Sequence, residues 1–336
     1  MSEPLLRVRD LSVTFPVRGR EGWPWARPRP LRAVRDVSFD LAAGESLGIV
    51  GESGSGKTTL ARALIGTVPA AAGEARWQGE DLLRMPPAAR HRHRRDIQMV
   101  FQDPLAALDP RMTAGEIIAE PLLVHEPRLA RREVRARVAQ MMERVGLLPN
   151  QVNRYPHEFS GGQCQRINIA RALVVRPRLV VCDEPVSALD VSVQAQVINL
   201  LGDLGRDLGL ALIFIAHDLA VVKHICDRIL VFYLGRAMEL GAARDVVREP
   251  RHPYTRALVA AAPIPDPAIE RGRRTAVLEG DLPSPLAPPS GCVFRTRCPI
   301  ARPSCAAAIP PMQDFGGGHL AACPHTGQAG HGEAPG

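Results

Sequence analysis

The amino-acid sequence predicts an α/β protein in which a glycine-rich turn joins a strand to a helix. The apolar segment SLGIV (Ser46–Val50) has the length of a buried strand, and TTLARALIG (Thr58–Gly66) has apolar residues at helical spacing. The turn between them, GESGSGKT, matches the phosphate-binding pattern G-x-x-x-x-G-K-[ST]. Further along, RLVVCDEP is an apolar segment that ends in Asp183 and Glu184. Together these segments predict a P-loop fold.

The composition indicates an intracellular protein with one large and one smaller domain. The chain has 336 residues, and none of its apolar runs approaches the ~18 residues that span a bilayer. Its first residues, MSEPLLRVRD, carry charges where an export signal is apolar, so we expect a cytoplasmic location. The net charge is +7, but only Lys57 and Lys223 are lysines. Because arginine does not replace a compact ammonium, a lysine at the glycine-rich turn is informative.

The chemistry expected of the turn is the binding of ATP and Mg²⁺. Glycines allow the backbone N–H groups to surround an anion at the positive end of the following helix. Lys57 would reach the β- and γ-phosphates, while Thr58 and Asp183 would hold Mg²⁺. Glu184 is then placed to accept a proton from the attacking water. The predicted ATP-binding residues are Gly51, Ser53, Gly54, Ser55, Gly56, Lys57, Thr58 and Thr59.

A second glycine-containing helix start precedes the acidic strand. In EFSGGQCQR, Ser160 and two glycines open a segment whose apolar residues recur at helical spacing. A helix N-terminus of this kind attracts anions. The segment therefore predicts a second site for phosphate, whereas Cys182 within the acidic strand is predicted to be a small core residue.

Six motifs in this order resemble the ATP-binding cassette (ABC) ATPases over residues 5–250. The matching segments are GESGSGKTT (Walker A), Gln102 in MVFQDP (Q-loop), Ser160, Gly161, Gly162 and Gln163 (signature), VVCDEP (Walker B), SALD ending at Asp190 (D-loop) and His217 in FIAHDL (switch histidine). The resemblance implies a RecA-like P-loop NTPase core with an antiparallel β subdomain, and a helical subdomain at about residues 103–175.

The resemblance also implies how the site operates. Two subunits would pair head to tail, so that each ATP lies between the Walker motifs of one and the signature of the other. Closure would follow ATP binding and opening would follow hydrolysis. Gln102 would sense Mg²⁺ and the attacking water, and His217 would contact the γ-phosphate. Phe15 is the candidate for stacking on adenine, and a core strand position is the alternative for it.

Three kinds of ABC protein are compatible with these motifs. A DNA-associated ATPase needs a long coiled coil between Walker A and the signature, and a twin-cassette translation factor needs a second P-loop. The sequence has neither, so a transporter subunit is favoured. The basic segments RHRHRR (Arg90–Arg95) and REVRARVAQMMERVGL (Arg132–Leu147) could bind nucleic acid. Without interleaved aromatic residues, they fit better with a solvated face near an anionic membrane surface, and no nucleic-acid partner is expected.

Longer segments resemble the oligopeptide/dipeptide importer branch, among them EIIAEPL, RYPHEFSGGQ, DEPVSALDVSVQAQV and PRHPYTRAL. The resemblance implies a peripheral subunit at the cytoplasmic face of the cell membrane. It would work with a sister ATPase or a second copy of itself, two permease subunits and an extracytoplasmic solute-binding protein. Peptides are the expected cargo, and nickel complexes or glutathione-like solutes stay open. The insertion at 16–34 is predicted to be a surface loop, whose Trp23 and Trp25 could touch the membrane or a partner.

The chain is expected to consist of three parts. We expect a cassette at residues 1–250, an extension typical of this branch at 251–325 with an irregular Pro-rich connector, and a disordered tail at 326–336.

The C-terminal extension contains four cysteines. They are Cys292, Cys298, Cys305 and Cys323. Disulfides are disfavoured in the cytoplasm. A [4Fe–4S] cluster accepts varied spacing and adjacent prolines and is ranked first, simple packing second, and zinc, which prefers tighter pairs, third.

Overall fold

A computed structural model of the chain describes residues 3–18, 28–262 and 280–326. The predictions made for Trp23 and Trp25, for residues 263–279 of the connector expected at 263–289 and for the tail beyond Thr326 lie outside these ranges. The surface loop predicted at 16–34 is wrong at both ends, because residues 16–17 and 29–34 lie in two strands that pair with each other. Within them, the strands are β1 (Leu6–Val17), β2 (Arg29–Leu41), β3 (Ser46–Val50), β4 (Ala72–Trp77), β5 (Glu80–Asp81), β6 (Ile97–Val100), β7 (Leu179–Asp183), β8 (Ala211–Ala216), β9 (Arg228–Tyr233), β10 (Arg236–Ala242), β11 (Gln313–Asp314) and β12 (Leu320–Ala321).

The helices of the same ranges cover the sheets and form a separate helical region. They are α1 (Lys57–Leu64), α2 (Pro87–Asp96), α3 (Pro104–Ala107), α4 (Ala114–His125), α5 (Arg131–Arg144), α6 (Gly161–Leu173), α7 (Val191–Leu208), α8 (Leu219–Ile225), α9 (Ala243–Arg248), α10 (Pro253–Ala261) and α11 (Ser304–Ala307). The strands predicted at β3 and β7 and the helices predicted at α1 and α6 are confirmed.

The central sheet brings the ends of four strands to one edge. Its strand order is β11-β12-β10-β9-β3-β8-β7-β6, and the strands from β9 to β6 run parallel. Ligands bind beyond the carboxyl ends of parallel strands, because that is where the connecting loops open. The loops after β3, β7, β8 and β6 contain the P-loop, Glu184, His217 and Gln102 in that order. The topology thus places all four predicted elements along the same edge.

Both faces of the central sheet are covered by apolar side chains. All residues of β7 and β8 are buried, as expected for parallel strands between two layers. Alternate residues of β7 join different clusters: Leu179 and Val181 pack with α1 and the antiparallel sheet, and Val180 and Cys182 pack with the helices on the other face. Cys182 is completely buried, so its prediction as a core residue is confirmed.

Two further units flank this sheet. An antiparallel sheet of order β2-β1-β4-β5 packs over α1. Helices α3 to α6 pack on the other face, where α4 begins with a capping box in which Thr113 and Glu116 exchange hydrogen bonds with each other's backbone. Such a cap satisfies backbone donors that the first helical turn leaves free. In the chain, the helical region follows β6 and Gln102.

The C-terminal extension is attached to the cassette through β10. Strand β12 pairs antiparallel with β10, and its neighbour His319 reaches the fully buried carboxylate of Glu239 at 2.7 Å. The same carboxylate accepts hydrogen bonds from the backbone N–H groups of Arg251 (2.9 Å) and His252 (2.8 Å). Glu239 therefore joins three segments: the sheet strand β10, the start of α10 and the segment that carries His319 and β12.

Replacing Glu239 by Ala is expected to lower the free energy of unfolding by about 3–5 kcal/mol, because three buried polar groups lose their common acceptor. A urea titration followed by circular dichroism measures the change. Glu249→Ala is the matched control, since that side chain is 72% exposed and its loss should cost less than about 0.5 kcal/mol. Equal effects of the two substitutions would show that the Glu239 carboxylate does not stabilise the fold.

Candidate functional site

The P-loop is held tightly between β9 and β2. Gly54 and Gly56 have φ values of 76° and 105°, which non-glycine residues rarely adopt. A Cβ atom on Gly51 would lie 2.0 Å from the carbonyl oxygen of Phe232, and one on Gly56 would lie 2.2 Å from that of Ala33. Glycine is thus required at both glycine positions of the motif, Gly51 and Gly56. Gly56 also forms the N-terminal cap of α1, so the free N–H groups of this helix point into the loop.

The ammonium group of Lys57 lies inside the loop. Its Nζ donates hydrogen bonds to the carbonyl oxygens of Gly51 (2.8 Å) and Glu52 (3.0 Å) and is 3.7 Å from Oε1 of Glu184. Only 3% of the side chain is exposed. Burial lowers the pKa of Lys57, and the carboxylates of Glu184 and Asp183 counteract part of this effect. An anion bound in the loop would add to their stabilising effect on the charged form.

The pair Thr58–Asp183 supplies oxygen ligands next to the lysine. The Thr58 hydroxyl donates to Oδ1 of Asp183 at 2.9 Å, and Asp183 is almost completely buried. Burial raises the pKa of Asp183, although the hydrogen bond from Thr58 acts in the opposite direction. Hydroxyl and carboxylate oxygens suit Mg²⁺, which usually takes one or two carboxylates and completes its shell with water and phosphate. Thr58 and Asp183 therefore fit the metal that the sequence predicts.

Glu184 and Gln102 meet although they are distant in sequence. The Gln102 side-chain amide donates to Oε2 of Glu184 at 2.8 Å. Glu184 has a φ of 45°, and its N–H bonds to the carbonyl oxygen of Ile215 in β8 at 3.0 Å. A non-glycine residue in this conformation persists only where neighbours enforce it, and such positions cluster at functional sites. The carboxylate is thereby aimed into the cleft beside Lys57.

These side chains line a cleft of about 290 Å³. The lining includes the P-loop residues from Ser53 to Thr59, Gln102 and Glu184, together with Phe15 and Arg32. Phe15 thus lines the same cleft as the P-loop. Arg32 and Pro285 also line the cleft and were missed by the sequence analysis, because nothing in their local sequence connects them with the P-loop.

The other predicted residues lie on the surface, away from this cleft. Ser160 caps α6: its Oγ accepts from the N–H of Gln163 at 3.3 Å, and the Gln163 side chain accepts from the N–H of Ser160 at 3.0 Å. Ser160 and Asp190, which precedes α7, are exposed, and so is His217, which follows β8. None of the three, nor Gly161 and Gly162, is among the residues that line the cleft of this chain.

The four C-terminal cysteines surround a second cavity of about 190 Å³, whose wall is mostly apolar. Burial raises the pKa of the Cys298 thiol to about 11 and also raises the pKa values of Cys292 and Cys323. Backbone N–H groups, including those of Phe294 and Ile300, donate to the sulfurs and partly counteract this effect. No group of three or more His, Cys, Asp or Glu side chains is placed to hold a single metal ion in the ranges described.

The parallel sheet, the glycine cradle around Lys57 and the acids at the end of β7 define a P-loop ATPase of the ATP-binding cassette type. The family model "ABC transporter" matches residues 34–187, and "Oligopeptide/dipeptide transporter, C-terminal region" matches residues 238–305. The chain belongs to the ATP-binding proteins of the oligopeptide/dipeptide family of ABC transporters. The sequence-based identification of this family and of its fold is confirmed.

Individual relatives agree with this assignment. The chain is 61% identical to the oligopeptide transport ATP-binding protein OppF of Escherichia coli over 309 residues, which are 92% of either chain. It is 59% identical to OppF of Haemophilus influenzae over 321 residues, which cover 96% of this chain and 97% of the other. The dimeric ATP-binding cassette MJ0796 bound to ADP and phosphate has a TM-score of 0.63, 27% identity, and coverage of 71% of this chain and 99% of its own.

Among the helices of the described ranges, none is long and apolar enough to cross a bilayer.

Replacing Gly56 by Ala is expected to destabilise the protein more than replacing Gly209, which has a φ of 62° and open space around it. Both substitutions place a side chain in an unfavourable backbone conformation, which costs about 1–2 kcal/mol. Only Gly56→Ala also forces a methyl group against the Ala33 carbonyl, which adds about 1–3 kcal/mol. Urea unfolding of both variants measures the difference. Indistinguishable free energies of unfolding would contradict the tight fit of the loop.

Proposed function

We propose that this chain is the ATP-hydrolysing subunit that energises an ABC importer for peptides. The observation that carries the proposal is the position of the Glu184 carboxylate, 3.7 Å from Nζ of Lys57 and 2.8 Å from Nε2 of Gln102. This position brings a proton acceptor, a phosphate-binding cation and the Thr58 hydroxyl to one cleft, and the buried Asp183 carboxylate is hydrogen-bonded to that hydroxyl. The peptide cargo is supported by the matched C-terminal region and by relatives named for oligopeptide transport.

ATP would bind with its phosphates in the P-loop and its base towards Phe15. The N–H groups of the loop and of the first turn of α1 would donate to the β- and γ-phosphates. The Lys57 ammonium is already oriented by two loop carbonyls, so little reorganisation is needed when phosphate oxygens arrive. The buried position of Lys57 strengthens its attraction for the phosphates, because the charge is poorly screened by water.

Mg²⁺ would be held by the Thr58 hydroxyl and the Asp183 carboxylate, with Gln102 beside them, and would neutralise charge on the β- and γ-phosphates. Since burial raises the pKa of Asp183, a nearby cation would favour the ionised form that acts as a ligand. Glu184 would then accept the proton of the water that attacks the γ-phosphate. Gln102 holds that carboxylate by its amide, and His217, after the neighbouring strand β8, would approach the γ-phosphate from the other side.

Hydrolysis would require a second subunit. The signature residues Ser160 to Gln163 and the D-loop residue Asp190 lie at helix starts on the surface, where they are free to meet the ATP of a partner. The partner would be a sister ATPase or a second copy of this chain. Two permease subunits would dock on the helical region, whose exposed apolar side chains include Leu105, Leu123 and Val124. An extracytoplasmic binding protein would deliver the peptide, and the ATPase would lie at the cytoplasmic face.

The substitution Glu184→Gln should abolish turnover and preserve nucleotide binding. Without a proton acceptor the rate is expected to fall about 10²- to 10⁴-fold, whereas Lys57 and the loop that bind ATP are unchanged. Phosphate release by the chain assembled with its partner ATPase, and calorimetric ATP binding by the purified chain, measure the two effects. Glu143→Gln, an exposed residue of α5, is the control and should retain wild-type turnover. Wild-type turnover of Glu184→Gln would assign the proton acceptor elsewhere.

The same variant tests the proposed cargo in cells. In a strain that lacks this subunit, the wild-type gene should restore the uptake of a labelled oligopeptide, and the Glu184→Gln gene should not. Unlabelled peptides should compete with the uptake. Restored uptake of a nickel complex or of glutathione without any effect on peptides would contradict the peptide proposal and leave the ATPase assignment in place.

We further propose that the four C-terminal thiols hold a [4Fe–4S] cluster. Four cysteines around one apolar cavity, with backbone N–H groups donating to their sulfurs, form a donor set that fits such a cluster. Deprotonating thiols whose pKa values are raised requires a strong positive centre, which iron provides. The cluster would supply one-electron chemistry or a covalent cross-link for a segment with a small apolar core.

Anaerobic purification should yield about four iron and four sulfide per chain, and Cys298→Ser should lose both. Ser304→Ala, which alters the wall of the same cavity without removing a thiol, should keep them. Metal analysis and the visible absorption spectrum measure the content. One zinc per chain would indicate a structural zinc site instead of a cluster. A metal-free chain with full stability would indicate that the four cysteines only pack in the core of the extension.

A further inference from the structure

Glu52, the second residue of the P-loop, is held at both its backbone and its side chain. Its carbonyl oxygen accepts hydrogen bonds from Nζ of Lys57 (3.0 Å) and from the N–H of Ser55 (3.2 Å). Its own N–H donates to the phenol oxygen of Tyr254 at 2.9 Å. A displacement of Glu52 would therefore move one of the two carbonyls that orient the Lys57 ammonium.

The side chain of Glu52 is bound by an arginine from the C-terminal extension. Nη1 of Arg297 donates to both carboxylate oxygens of Glu52, at 3.0 and 2.8 Å. Only 7% of the Arg297 side chain and 25% of the Glu52 side chain are exposed, so water screens this ion pair weakly. Hydrogen bonds between two charged groups are among the strongest in proteins. Arg297 of the extension thus binds the P-loop at Glu52, which lies 245 positions earlier in the sequence.

Aromatic packing fixes the position of Arg297. Its Nη1 lies 3.3 Å from the phenol oxygen of Tyr233, and its guanidinium carbon is 6.0 Å from the centre of that ring. Phe294, one turn earlier, is fully buried and packs against the rings of Tyr233 and Tyr254, each with a centroid separation of 5.3 Å. The segment that carries Arg297 is therefore attached to β9 of the cassette and to α10 at the start of the extension.

We propose that Arg297 is a positioning residue for the ATPase: by holding the Glu52 carboxylate it fixes the P-loop in the form that binds the triphosphate. The proposal rests on the proposed function, because it concerns the same nucleotide cleft. It adds that the C-terminal extension sets the nucleotide affinity of the cassette. Arg297 touches neither the phosphates nor the reacting water. It acts through Glu52, the carbonyl of Glu52 and the ammonium of Lys57.

The expected defect is one of affinity more than of turnover. Lys57 contacts phosphates that are present both before and during the reaction, and loss of such uniform binding raises KM with little change in kcat. In Arg297→Gln and in Glu52→Gln we expect the Kd and KM for ATP to rise about tenfold, which corresponds to about 1.4 kcal/mol. The double variant should be no weaker than either single variant, because both remove the same contact. Arg297→Lys should recover part of the affinity, because it retains a cationic donor.

The measurements use the full-length chain, with Kd from titration calorimetry and KM and kcat from phosphate release. Arg302→Gln, an exposed arginine of the same extension, is the control and should bind ATP as the wild type does. A lowered thermal midpoint with unchanged Kd in Arg297→Gln, or additive losses in the double variant, would overturn the proposal and leave a purely structural role. Glu52→Gln leaves the extension intact, so the test stands even where Arg297→Gln fails to fold.

The proposed ATPase function and the proposed role of Arg297 can be contradicted separately. A wild-type chain that does not bind ATP would contradict the proposed function. A wild-type chain that binds ATP, together with Arg297→Gln and Glu52→Gln variants that bind it equally well, would contradict only the role of Arg297.

Discussion

The ammonium of Lys57 lies almost out of contact with water, in a loop whose carbonyl oxygens from Gly51 and Glu52 face it at 2.8 and 3.0 Å. Burying a charge is costly unless it is paired and hydrogen-bonded, so the surrounding carbonyl oxygens and carboxylates must lie within reach of the ammonium. The glycines allow the loop to pack closely against β9 and β2. Asp183 at the end of β7 and the adjacent Glu184 supply negative charges that stabilise the charged lysine. The parallel sheet is what allows these elements to meet at one edge.

The parts of this arrangement that local sequence determines could be predicted. Strand β3, the loop and helix α1 are consecutive, and periodicity together with the G-x-x-x-x-G-K-[ST] pattern was sufficient to place them. Strand β7 was equally clear, because a parallel sheet buries it on both faces and its sequence is continuously apolar. The same reasoning placed Lys57 and Thr58 at the start of the helix.

The contacts that depend on strand order could not be predicted in this way. The hydrogen bond between Gln102 and Glu184 exists because β6 lies beside β7, and the wall formed by Phe15 requires the antiparallel sheet to pack over α1. The grip of Arg297 on Glu52 depends on how the extension folds back across β10, and neither residue type signals it locally. Because Cys298 follows Arg297 directly, the cavity lined by the four thiols and the P-loop are connected by adjacent residues of one chain segment.

The scarcity of lysine has a practical consequence for labelling. Of the two lysines in the chain, Lys57 is enclosed by its loop, whereas Lys223 on α8 is exposed. Amine-reactive dyes and cross-linkers need an accessible amine, so Lys223 is the lysine side chain that they can address. Helix α8 begins two residues after His217. A fluorophore attached through Lys223 would therefore report the movements of the segment that carries His217, without any engineered attachment site.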